Sequence, residues 1–85
     1  MNRKQRIKSL LSNYFIDFII EIIDSSFEHK GHYGFDGDQE SHFKLIITNK
    51  SKNKQSRLEM HRIINKLLKE EYNTGMHSLE IKIIN

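Results

Sequence analysis

The chain has 85 residues, with 14 Lys or Arg against 11 Asp or Glu, five His and no Cys. This length suits one domain with a small core. The absence of cysteine excludes a disulfide framework and any thiolate metal site built by this chain alone, and a net charge of +3 describes a mildly basic surface, not a polycation.

Asn2 to Leu11 is predicted as a helix, because Ile7, Leu10 and Leu11 recur at helical spacing and Phe15 extends the packing. Ile19 to Ser25 is β-branched and strand-like, with Ile20 and Ile22 facing the core and Glu21 and Ile23 facing away. Residues 27–41 form a long loop carrying Gly31, Gly34 and Gly37. Loops of that length in a small domain tend to serve function. His42 to Asn49 alternates, with Phe43, Leu45 and Ile47 inward and His42, Lys44, Ile46 and Thr48 outward.

A polar connector follows. Ser56 and Glu59 have the spacing of a capping box. They open a helix whose stripe is Met60, Ile64, Leu67, Leu68 and Tyr72, ended by Gly75. Ser78 to Ile84 is the last strand, with Leu79, Ile81 and Ile83 inward. The order α-β-β-α-β describes one domain over residues 1–85, of α+β class, without repeat or linker. Both helices are expected on one face of a three-stranded mixed sheet. Outward Ile23, Ile46 and Ile84 leave an apolar strip on the other face.

Topology gathers histidines. If the first two strands pair antiparallel across the loop, the second helix returns the chain and the third strand runs parallel to the second. A helix of about 16 residues rises about 24 Å, and a strand of about eight residues covers about 26 Å, so the lengths match. His77 then reaches the end that holds His29 and His32, where His42 also begins its strand. Imidazoles gathered in this way can bind a metal. They do not complete a coordination shell, so further ligands would come from a partner. Spacing alone leaves a second reading open, in which His29, His32 and His77 are ordinary turn and strand-start residues. His61 lies toward the opposite end beside the apolar stripe and is expected to be a packed, structural imidazole.

Other chemistry is absent from the pattern. There is no Walker-type glycine loop, nucleophile elbow or cysteine nucleophile. Ser12, Ser25 and Ser26 have no evident base, Glu70 and Glu71 read as helix-surface charge, and Asp36 to Glu40 lacks the spacing of a calcium loop. The run Tyr14 to Ile23 is too short to span a bilayer and is broken by Asp17 and Glu21. The basic start (Arg3, Lys4, Arg6, Lys8) merges into the first helix and is read as structure, not as a targeting peptide. A second basic cluster, Lys50, Lys52, Lys54 and Arg57, could attract phosphate.

Five runs, taken in order, resemble the BolA family: Ile20 to Ser26, His29-Lys30-Gly31-His32, Glu40-Ser41-His42-Phe43-Lys44, Glu59-Met60-His61-Arg62 and Gly75-Met76-His77-Ser78-Leu79. The chain departs from that family at Asp17, where proline is frequent, at Lys52 and Lys54, where an aromatic-x-Gly pattern is frequent, and at Met60, where arginine is usual. The resemblance implies a type II KH-like domain with an extra turn before the long helix. It also implies partnership with a monothiol CGFS glutaredoxin, the two proteins sharing a 2Fe-2S cluster. Glutaredoxin and glutathione would supply thiolates, and this chain would supply His77 and a loop ligand, His29 or its rival His32. Histidine ligation raises a cluster's potential relative to all-cysteine ligation. The implied protein is an adaptor for cluster trafficking or iron sensing, not an enzyme. It would be a monomer without a cluster when alone and a heterodimer with its partner, in the cytoplasm or an organellar matrix and not in a membrane. The alternative implied by the same family is a nucleic-acid-binding regulator using Lys50, Lys52, Lys54 and Arg57.

Overall fold

A computed structural model describes residues 1–26 and 41–85. Helix α1 (Arg3–Tyr14) starts at a reciprocal cap: Asn2 Oδ1 accepts from the Gln5 amide at 2.8 Å, and Gln5 Oε1 accepts from the Asn2 amide at 2.9 Å. Such a box satisfies two of the N–H groups a helix start leaves unpaired. The helix runs a turn beyond the predicted Leu11 and buries Ile7, Leu11 and Phe15, while Leu10 is exposed. Strand β1 (Phe18–Asp24) and strand β2 (His42–Asn49) pair antiparallel with Ile20 opposite Ile47 and Ile22 opposite Leu45. Strand β3 (Ser78–Ile84) pairs parallel to β2, so the sheet order is β1-β2-β3.

Period-two alternation sends Phe43, Leu45 and Ile47 into the core, where each is at most 1% exposed. Ile20 and Ile22 join them from β1, and Ile83 from β3. Leu79 and Ile81 are only partly buried, since β3 is an edge strand. Met60, Ile64 and Leu68 close the core from above the same sheet face as Ile7 and Leu11. The fold class and mixed sheet are those the sequence predicts.

Three details differ. The single helix expected after Ser56 is two: α2 (Arg57–Leu67) and α3 (Lys69–Asn73), broken at Leu68. No helical turn precedes α2 in residues 50–56, so the short extra helix follows the long one instead. The capping box at Ser56 is half formed. Ser56 Oγ accepts from the Glu59 amide at 3.2 Å, but the Glu59 carboxylate meets Arg62 at 3.5 Å.

The third difference is Glu71, which is buried and not surface charge. Its carboxylate accepts from Arg3 Nε at 2.9 Å and from Arg6 Nε and Nη2 at 3.0 Å each. Arg3 also donates to the Thr74 carbonyl at 2.7 Å. Two charges of the N-terminal basic cluster are thus engaged with Glu71, Arg3 buried and Arg6 partly exposed. They fasten the start of α1 to the turn that leads into β3. Gly75 turns that corner at φ +126°, a conformation that disfavours any Cβ, and a Cβ there would also lie 3.3 Å from Arg3 Nη1.

Candidate functional site

At one end of the sheet, three buried serines organise the strand ends. Ser26 Oγ donates to Asp24 Oδ1 at 2.6 Å and accepts from the backbone amides of Ser41 and His42 at 2.9 and 3.1 Å. The sequence suggested no partner for Ser26. The structure gives it Asp24, but Ser26 is 1% exposed and beyond the reach of a substrate, so this is a structural clamp. The Ser25 amide donates to the His42 carbonyl at 2.8 Å and extends the β1–β2 ladder past Asp24.

Ser41 links that clamp to the start of β3. Its carbonyl accepts from the amides of His77 and Ser78 at 2.7 and 3.2 Å. Buried Met76 anchors the preceding residue, and its amide donates to the Glu71 carbonyl at 2.9 Å. The His77 backbone is therefore fixed on both sides, while its imidazole is exposed. A rigid mount with an open side chain is what a ligand to a shared group requires.

His42 starts β2 beside it. The two imidazole centroids lie 5.9 Å apart with ring planes tilted by 46°. Ser41 Oγ lies 2.8 Å from His42 Nδ1 and orients that ring. Sequence analysis placed His42 at this end without giving it a role. The signal was available: it opens the strand paired with β3, where Ser78 stands opposite it.

The expected ligands His29 and His32 lie outside the described residues. His61 does not pack as predicted. Helix α2 meets the core through Met60, Ile64 and Leu68, and one residue past Met60 the helix turns His61 to solvent. Of the phosphate candidates, Lys50, Lys52 and Lys54 are exposed on the connector. Arg57 is tied down, donating to the Ile83 carbonyl at 2.8 Å.

Among the described residues, no three His, Cys, Asp or Glu side chains group closely enough to hold a metal ion. The chain also has no thiolate to offer. The imidazoles suit a metal centre only as part of a set completed by other groups. No helix among the described residues is long and apolar enough to cross a membrane.

Comparison with known proteins identifies the family and the fold. A family model described as BolA-like protein matches residues 11–85. The chain belongs to the BolA-like family. It is 35% identical over 82 residues to chloroplastic BOLA1 of Arabidopsis thaliana, covering 94% of this chain and 51% of that protein. The chain therefore spans about half the length of that relative. It is 31% identical over 78 residues to the DNA-binding transcriptional regulator BolA of Escherichia coli, covering 92% of this chain and 70% of that protein. The solved BolA domain of SufE1 from Arabidopsis thaliana superposes with a TM-score of 0.79 at 32% identity, over 99% of this chain and 92% of that one. The BolA-like α+β architecture expected from the sequence is thereby shown.

Proposed function

We propose that this BolA-like chain is a non-catalytic adaptor that binds a monothiol CGFS glutaredoxin and shares a 2Fe-2S cluster with it, in cluster trafficking or iron sensing. One observation carries the reading: the exposed imidazole of His77 stands on a backbone locked to Ser41, in a chain that has no cysteine. Thiolates would come from glutaredoxin and glutathione, and this chain would contribute nitrogen. The loop ligand would be His29, with His32 as its rival. The cluster would supply electron-accepting chemistry at a potential raised by imidazole ligation. The reading places the protein in a reducing compartment, cytoplasm or organellar matrix.

The test is reconstitution. The chain is mixed with a CGFS glutaredoxin, glutathione, iron and sulfide, and the visible absorption and circular dichroism are recorded. The wild-type mixture should show a spectrum distinct from that of glutaredoxin alone. His77→Ala should return it to the glutaredoxin spectrum while leaving the far-ultraviolet spectrum of the chain intact. An unchanged cluster spectrum in that variant would remove His77 from the ligand set.

A second reading, nucleic-acid binding, is favoured by the E. coli relative named as a DNA-binding regulator and by the exposed Lys50, Lys52 and Lys54. It predicts duplex affinity that falls steeply with salt, and a salt slope that shrinks by about one for each of these lysines removed. Binding that ignores salt, or ignores all three substitutions, rejects it.

A further inference from the structure

The backbone of His77 is fixed, because its amide donates to the Ser41 carbonyl at 2.7 Å. Its imidazole is exposed, so the direction of the ring is still to be set. An exposed ring turns about its Cα–Cβ bond among three staggered positions. A second ring stands against this one. The His42 centroid lies 5.9 Å away with the planes tilted by 46°, inside the roughly 4.5–7 Å at which ring pairs attract. His42 is half-buried, and Ser41 Oγ lies 2.8 Å from its Nδ1, so its own ring is held in place. A held ring beside a movable one restricts the movable one.

We propose that His42 is a positioning residue for His77: its ring, oriented by Ser41, holds the His77 imidazole in one rotamer and so aims its nitrogen at an incoming metal group. His42 forms no bond to the metal in this role. The consequence for a cluster rests on the reading of His77 as a ligand; the restriction of the ring does not. The side chain of His42 is available for such a role because the bonds that build the strand start are backbone bonds. Its amide donates to Ser26 Oγ at 3.1 Å, and its carbonyl accepts from the Ser25 amide at 2.8 Å.

The size of the effect is bounded on both sides. Ring pairing weights one arrangement by roughly two- to tenfold, and the apolar area the rings cover adds to it. The favoured rotamer of His77 therefore holds at least about half of the molecules, against about a third for an unguided ring. Apparent affinity falls in proportion to the fraction able to bind. Losing the His42 ring should then weaken cluster binding by about 1.5-fold to at most about threefold. Removing a ligand has no such ceiling, which separates positioning from ligation.

The experiment reads the His77 side chain directly, through its three-bond couplings in magnetic resonance of the intact chain without glutaredoxin. The parent should show one dominant rotamer and His42→Ala an averaged set. His42→Phe, which restores a ring but offers no nitrogen to a metal, should bring the dominant rotamer back. Far-ultraviolet circular dichroism checks that each variant folds. The same variants are then titrated in the glutaredoxin, glutathione, iron and sulfide mixture, where His42→Ala should keep the cluster spectrum at slightly lower affinity. Four outcomes overturn the proposal: averaged couplings in the parent, unchanged couplings in His42→Ala, a Phe variant indistinguishable from the Ala variant, or loss of the cluster spectrum in His42→Ala, which would make His42 a ligand. If His77→Ala leaves the cluster spectrum unchanged, the reading of His77 as a ligand falls, while the couplings still decide the positioning.

Discussion

Glu71→Ala should lower the unfolding free energy by about 3–5 kcal/mol, the range found when one partner of a buried ion pair is removed. Native domains have only about 5–15 kcal/mol in total, so the variant should be close to unfolded at ambient temperature. Arg3 would be the residue most affected. It is buried, donates to Glu71 Oε1 at 2.9 Å, and also donates to the Thr74 carbonyl. Arg6 should matter less, since its side chain is 40% exposed and water can replace the lost contact. Urea denaturation measures the effect as a fall in midpoint at unchanged slope. Arg3→Met combined with Glu71→Leu should recover much of the loss, because it removes the buried charge from both sides of the pair. A Glu71→Ala protein as stable as the parent would mean that the ion pair is idle.

Phe43→Ala should cost about 3–5 kcal/mol for a different reason. Phe43 lies on the central strand and is 1% exposed, packed with helix residues on one side and flanked by β1 and β3. Removing the ring leaves a cavity that a three-stranded sheet under two helices cannot easily collapse to fill. The control is Ile19→Ala on the opposite face, half exposed, which should change stability by less than about 1 kcal/mol in the dilute protein. Thermal unfolding of both variants separates a core defect from a surface change. Equal losses would contradict the assignment of the two faces.

Alternation made β2 readable, since its half-buried and buried positions alternate from His42 to Thr48. The break at Leu68 left no trace in the sequence. No Gly or Pro marks it, and Leu68 itself continues the apolar stripe. Glu71 was misread because acids on helices are usually solvated. A sign was present all the same: Glu71 stands three residues after Leu68 and seven after Ile64, on the buried stripe, while Tyr72 beside it is 38% exposed. Its partner Arg3 is 68 residues away in the chain, a separation that no local pattern reports. Chain direction brought His77 and His42 to one end. Their centroid separation of 5.9 Å depends on Ser41, whose carbonyl and hydroxyl hold one histidine each, and side-chain hydrogen bonds of that kind are not encoded in spacing.

The family match begins at residue 11, whereas the cations that neutralise Glu71 are at positions 3 and 6. A shortened protein cut at the matched boundary would retain every histidine, all three strands and nearly all of the apolar interior. It would also lose both arginines that pair with the Glu71 carboxylate, and with them the cover they give it. Sequence kinship and mechanical integrity therefore draw different borders here, and the first turn of α1 belongs to the second without being required by the first.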